Sequence, residues 1–115
     1  MEIKYENNKV EKYFNDFALM SKDKGVHLAK SAKKHYNLLK ASENFYSYIS
    51  YNYGKPHLLS GNLKGYYGVR LSANIRLIIK PEAVSLQDQA LKNCKTVIIK
   101  GVMDYHGKKI EWIIP

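Results

Sequence analysis

Residues 96–107 read "TVIIKGVMDYHG", and the fold turns on what this stretch does. From Val97 to Met103 the run is apolar except for Lys100 and Gly101. It is short for a helix and lacks the polar alternation of a one-sided strand, so it predicts a strand at the centre of a sheet. Asp104, Tyr105 and His106 follow where that strand should finish. Three side chains able to handle protons at a strand end suit an active site, because reactive groups tend to sit on loops and strand ends of a rigid scaffold. The tripeptide alone is equally well read as a plain strand end.

The neighbouring segments extend the sheet. Before the run, Glu82 to Lys95 is a polar insertion with a helical turn around Leu86 to Leu91, and Pro81 stops the strand "IRLIIK". "GYYGVRLSA" precedes it and turns at Ala73-Asn74, which predicts a hairpin. "HLLSGN" is a shorter strand turning at Gly61-Asn62. After the run, Ile110, Trp112 and Ile114 alternate in a last strand on an edge.

The first half of the chain has a helical period instead. A short strand at Glu2 to Glu6 comes first, with Ile3 and Tyr5 on one face. Asn8 then offers an N-cap with Glu11 three residues on, and Val10, Tyr13, Phe14, Phe17 and Met20 predict one helix to about Met20, ended by "SKDKG". A second helix carries Leu28, Ala32, His35, Tyr36 and Leu39 on one stripe and Lys30, Lys33, Lys34, Asn37 and Lys40 on another. Ser42 caps a third, with Phe45, Tyr46, Ile49 and Tyr53 in phase until Gly54, before Lys55-Pro56. The architecture expected is α+β, with N-terminal helices packed on a small, mainly antiparallel β-sheet. At 115 residues a single domain spanning 1–115 is expected.

Composition narrows the partners. The formal net charge is +9, from 17 lysines and two arginines against ten acidic residues. Such an excess suits a polyanion or an acidic protein. Ten tyrosines accompany the lysines, and rings among cations suit single-stranded nucleic acid, although any one tyrosine is better read as core. The one cysteine, Cys94, excludes an internal disulfide and a multi-cysteine zinc site; it reads as a solvated loop thiol in a reducing compartment. No apolar run approaches a membrane span and the N-terminus lacks a signal-peptide core, so a soluble, cytoplasmic protein is expected, with no membrane partner.

Four histidines are candidates for proton transfer. His27 and His35 read as surface or packed groups. His57 and His106 stand at strand ends, where two imidazoles can divide the work of general base and general acid near neutral pH. That division suits RNA cleavage by its own 2′-hydroxyl, without metal or cofactor. Arg76 could hold a phosphate bidentately or make a cross-strand salt bridge. Asp104 could orient an imidazole, act as a base or cap the strand; Tyr105 could stack on a base, donate a proton or pack. His57, Asp104 and His106 are also legitimate metal ligands, but no short His-x-x-x-His spacing supports a metal site. Gly61, Gly65 and Gly68 lack the lysine and hydroxyl of a P-loop and read as turn geometry.

Taken together, "HLLSGNLKGYYGVRLSANIRLII" and "GVMDYHG" resemble the RelE/ParE superfamily of bacterial toxins, and within it the HigB branch of plasmid-maintenance killer proteins. The resemblance rests on His57 before an apolar pair and "SGN", Gly65-Tyr66-Tyr67, Val69-Arg70-Leu71, Asn74 with Arg76-Leu77, and Asp104-Tyr105-His106. It implies a RelE-like fold and a toxin of a type II toxin–antitoxin system. The activity implied is a ribosome-dependent endoribonuclease, an mRNA interferase that inhibits translation. His57 and His106 would be its acid/base pair, Asp104 and Tyr105 would stand beside them, and Arg76 would hold the scissile phosphate. RNA or ribosome contacts would come from Lys30, Lys33, Lys34, Lys40, Lys64 and Arg70; the helix lysines equally form an ordinary solvated face. The resemblance also implies a HigA-like helix-turn-helix antitoxin, with operator DNA bound only through it. ParE-type relatives poison DNA gyrase by binding it without chemistry, which is the alternative function. Ile75 before Arg76, the long 82–95 insertion and the continuation "GKKIEWIIP" depart from the pattern.

Overall fold

The computed structural model describes residues 1–107 and 109–115. The strand at 96–106 takes the place expected of it: β5 (Thr96–His106) is paired on both sides. On one side it meets β4 (Ile75–Pro81), which continues antiparallel to β3 (Tyr67–Arg70) and then to β2 (His57–Leu58). On its other side, β1 (Glu2–Tyr5) runs parallel to its first part and β6 (Lys109–Ile114) antiparallel to its last. All pairings but that of β1 are antiparallel.

One face of this sheet is covered by the helices α1 (Asn8–Phe14), α2 (Phe17–Lys24), α3 (Val26–Ala41) and α4 (Phe45–Ser50). Val69, Leu77, Ile79, Val97, Ile99 and Val102 point into the core beneath them, against Phe14, Met20, Leu39, Phe45 and Tyr48. Apolar burial of this kind is the main drive to fold. The other face carries no helix among the described residues. Among them, no helix is long and apolar enough to cross a membrane.

Helix boundaries differ from the expected ones because capping side chains compete with helix continuation. Asn7, rather than Asn8, is the first N-cap and accepts from the Val10 amide at 3.0 Å. The single helix expected to Met20 is broken at Asn15-Asp16, where Asp16 accepts from the Leu19 amide at 3.0 Å and starts a new helix. That helix runs through "SKDK" and stops at Gly25, whose φ of 98° few other residues adopt. Ser42 closes α3 instead of opening α4, its hydroxyl donating to the Leu38 carbonyl at 2.6 Å, and Asn44 caps α4 by accepting from Ser47 at 2.8 Å. The helical turn in the insertion is α5 (Asp88–Lys92). Cys94 is a further correction: it is buried at 3 % exposure, its thiol donating to the Thr96 carbonyl at 3.1 Å.

Two irregularities shape the sheet's far end. Ile78 pairs with Gly101 but Ile79 with Ile99, so Lys100 is an extra residue in β5. A second shift, between Val102 and Met103, falls opposite Ile113 in β6. Next to the first of these, β5 and β6 come so close that a Cβ on Gly101 would collide with the Ile114 carbonyl. Ile114 consequently lies in the core while Ile110 and Trp112 are exposed, and the three do not share one face as simple alternation predicted.

Candidate active site

The bulge decides where the proton-handling residues point. Side chains alternate along a strand, so an uninterrupted β5 would place 103 and 105 beside Val97 and Ile99 in the core. The extra residue reverses the parity. Val102 takes the core position, Asp104 and His106 follow it on the helix side, and Met103 and Tyr105 face the open side.

Cross-strand partners fill out both faces. Arg76 stands opposite Met103, and Arg70 opposite Arg76, so the chain's two arginines are neighbours on the open face. Like charges directly opposite repel, and an anion between them relieves the strain. Arg76 is held firmly: its Nη1 donates to the carbonyls of Ser72 at 2.9 Å, Ala73 at 3.2 Å and Ile75 at 3.1 Å, bracing the β3–β4 turn. Its guanidinium lies 5.8 Å from the centre of the Tyr105 ring. Neither Nε nor Nη2 hydrogen-bonds among the described residues, which leaves part of the planar fork for a phosphate.

Asp104 is mostly covered, 19 % exposed, and its Oδ2 meets Nε2 of His106 at 2.9 Å. His106 is 57 % exposed at the tip of β5. With Nε2–H donated to the carboxylate, the neutral imidazole carries its lone pair on Nδ1, the tautomer of a general base.

His57 lies elsewhere. Its row across the sheet passes Gly68 and Ile78 and reaches β5 at Gly101, five residues before His106. Three strand spacings and five residues separate the two imidazoles by on the order of 20 Å. His57 is exposed on the edge strand, with Nδ1 3.2 Å from the Lys55 carbonyl. The expected acid/base pair is therefore not assembled, because β3 and β4 stand between its members. Nor do His57, Asp104 and His106, the competing set of metal ligands, meet; among the described residues no three of His, Cys, Asp and Glu could share an ion.

Lys30, Lys33, Lys34 and Lys40 are exposed on α3, in the helix layer, while Lys64 and Arg70 are exposed on the sheet side of the chain. His35 is a packed group: 2 % exposed, stacked on Tyr53 with centroids 4.5 Å apart, and held down to a pKa of about 4 by burial. Gly54 makes room for it, since a Cβ there would sit 2.6 Å from the imidazole Cε1.

One cluster escaped the sequence reading. On the open face Lys100, the bulge residue, donates to Glu6 at 2.8 Å, and the Tyr66 hydroxyl donates to the same carboxylate at 2.6 Å. The Lys100 ammonium lies 5.3 Å from the Tyr66 ring and 5.6 Å from the Trp112 ring, and Lys80 lies 5.4 Å from Tyr66. Burial alone would raise the Glu6 carboxyl, but the hydrogen bonds from Lys100 and Tyr66 and the charges of Lys100 and Lys80 hold it below the usual range. Tyr66 is pushed up to about 12 by burial and by its bond to Glu6. These residues come from separate segments, and no local spacing announces them.

No family model and no curated protein matches the chain. Solved structures do resemble it. The YoeB/ParE toxin from Agrobacterium tumefaciens aligns at a TM-score of 0.56 with 13 % identity, over 92 % of this chain and 99 % of that one. A YoeB–YefM complex from Staphylococcus aureus gives 0.54 with 19 % identity, over 92 % and 97 %. The YoeB dimer from the same organism gives 0.53 with 19 % identity, over 92 % and 97 %. The chain has the α+β fold of the YoeB and ParE toxins.

Proposed function

We propose that the chain is a toxin of the RelE/ParE superfamily, one domain over 1–115, that cuts messenger RNA on the ribosome in the bacterial cytoplasm. The observation that carries the reading is the Asp104–His106 pair at the tip of β5, its imidazole exposed and its carboxylate mostly covered, beside the fixed Arg76–Tyr105 pair. An RNA strand crossing that tip touches both faces. His106 Nδ1 takes the proton of a 2′-hydroxyl, whose oxygen attacks the adjacent phosphorus. Arg76 neutralises the charge that builds on the phosphate. The bond from phosphorus to the 5′-oxygen breaks, and Tyr105 protonates the leaving oxygen, giving a 2′,3′-cyclic phosphate and a 5′-hydroxyl. No metal takes part. His57, on the distant edge, contributes to RNA binding rather than to proton transfer.

The lysines of α3 with Lys64 and Arg70 serve as contacts to ribosomal RNA and message. An antitoxin is the expected partner, supported by the complexes that YoeB forms with YefM; the HigB resemblance makes it a HigA-like helix-turn-helix protein that carries the operator contacts. The test is a cell-free translation reaction given the purified chain or its His106→Ala variant, with new message ends mapped by primer extension. Cuts within translated codons, absent with the variant, are expected. Equal cuts from both proteins, or none, would overturn the reading.

A second reading is favoured by one observation, the separation of His57 from His106. Without an assembled histidine pair, the chain could act as a ParE-like, non-enzymatic inhibitor of DNA gyrase. Inhibited supercoiling by purified gyrase, unchanged in the His106→Ala variant, would establish it.

A further inference from the structure

A groove runs along the open face between the 3₁₀ turn Gly61–Leu63 and β6. It has a volume of about 320 Å³ and is lined by Ser60, Asn62, Leu63, Met103, Ile110 and Trp112. Its walls are apolar and its rim carries one hydroxyl and one amide. Ile110 and Trp112, 57 % and 39 % exposed, line the groove together, an apolar patch of the kind that marks an interaction site. Met103 is the cross-strand partner of both Arg76 and Trp112, so the groove adjoins the phosphate site directly.

We propose that this groove is a nucleobase pocket. It takes the base of a nucleotide next to the cleaved bond, Trp112 supplying a stacking surface and Asn62 reading the base edge. The proposal rests on the RNA-cleaving function above and adds to it the determinants of sequence preference. Charge selects a base over an apolar protein side chain. Lys100 stands 5.6 Å from the Trp112 ring, Lys80 is its neighbour around Tyr66, and Arg76 is one strand beyond Met103. A base arrives with phosphates on both sides, which these cations neutralise; a hydrophobic side chain of a protein brings no such charge. Base edges also demand paired donors and acceptors, which the Asn62 amide has and an apolar docking site would lack.

Trp112 is the chain's sole tryptophan, so its fluorescence reports on this groove alone. Short single-stranded 2′-O-methyl RNAs cannot be cleaved through a 2′-hydroxyl, which makes binding measurable apart from catalysis. We expect oligonucleotides of each base, titrated into the full chain, to quench Trp112 to saturation, with one base preferred. By anisotropy of labelled oligonucleotides, Trp112→Ala should weaken binding about tenfold. Asn62→Ala, an exposed turn substitution, should leave affinity for the poorest base unchanged and level the preference. Binding seen by anisotropy with no change in Trp112 fluorescence would overturn the pocket, as would no binding of any oligonucleotide, or preference unaltered in Asn62→Ala. A fluorescence change produced only by the antitoxin would assign the groove to protein. Loss of cleavage in His106→Ala with no Trp112 response would leave the catalytic reading standing and this one refuted.

Discussion

The last residues of β5 send neighbouring side chains to opposite faces, and those faces differ in how they are built. On the helix side, Asp104 and His106 form an isolated pair whose geometry one hydrogen bond fixes. On the open side, Arg76 lies over the Tyr105 ring and Lys100 over the Trp112 ring, and the exposed Glu6 carboxylate accepts from Lys100 and Tyr66, a field of cations and rings. The first arrangement suits movement of one proton. The second suits recognition of an extended anion and, through Tyr105, return of a proton to the leaving oxygen. A division of labour between the two faces follows, and removing residues from each should have different consequences.

The sharpest break comes from the proton-transfer side. His106→Ala should lower RNA cleavage by about 10²–10⁴-fold with oligonucleotide binding unchanged, as for loss of a general base. His57→Ala should change cleavage only a few-fold. Comparable losses in single-turnover assays of both variants would mean that the two imidazoles converge in the bound state, and the division would fail.

Next in size is a dependence on pH that neither face supplies. Native His35 is held neutral, with its pKa near 4, while the unfolded chain protonates near the ordinary 6.5. Its contribution is complete above pH 6.5 and is lost as pH falls from there towards 4, a change of up to about 3 kcal/mol. Urea unfolding at several pH values should show this slope, and His35→Leu should flatten it. If cleavage and stability fall together below pH 6.5, the acid limb of activity belongs to folding rather than to the chemical step.

The bulge offers a third test. Gly101→Ala would drive a Cβ into the Ile114 carbonyl and loosen β6, costing about 2 kcal/mol as other strained backbone positions do. Trp112 fluorescence should then shift towards that of exposed indole, while the spectra of the helices persist. The smallest expected effect lies in the helix layer: replacing Lys30, Lys33, Lys34 and Lys40 by Gln should reduce the slope of ribosome binding against log salt by roughly three, at about 0.7–0.9 per phosphate contact. An unchanged slope would confine nucleic-acid contacts to the open face.

Much of the fold was legible because its signals are local. The apolar run of β5, the hairpin around Ala73-Asn74 and the lysine stripe of α3 all declare themselves within a few residues. Caps were harder, since Asn7 and Asn8 offer the same chemistry one residue apart, and only the backbone geometry selects between them. The site was harder still. Which face Asp104, Tyr105 and His106 each take depends on the parity of β5, and nothing in "IIKGV" other than the glycine hints that Lys100 is supernumerary. Separation of His57 from His106 depends on strand order, which periodicity does not determine. Lys100, Tyr66, Glu6 and Trp112 meet only because four segments converge.

Cys94, buried where the 82–95 segment enters β5, gives the molecule a built-in clock. Because it is the chain's one thiol, a maleimide can consume the protein only when that seam opens, and the labelling rate counts the openings. Comparing that rate for the chain alone, with RNA and with an antitoxin would rank how tightly each binding event closes the sheet, without any mutation.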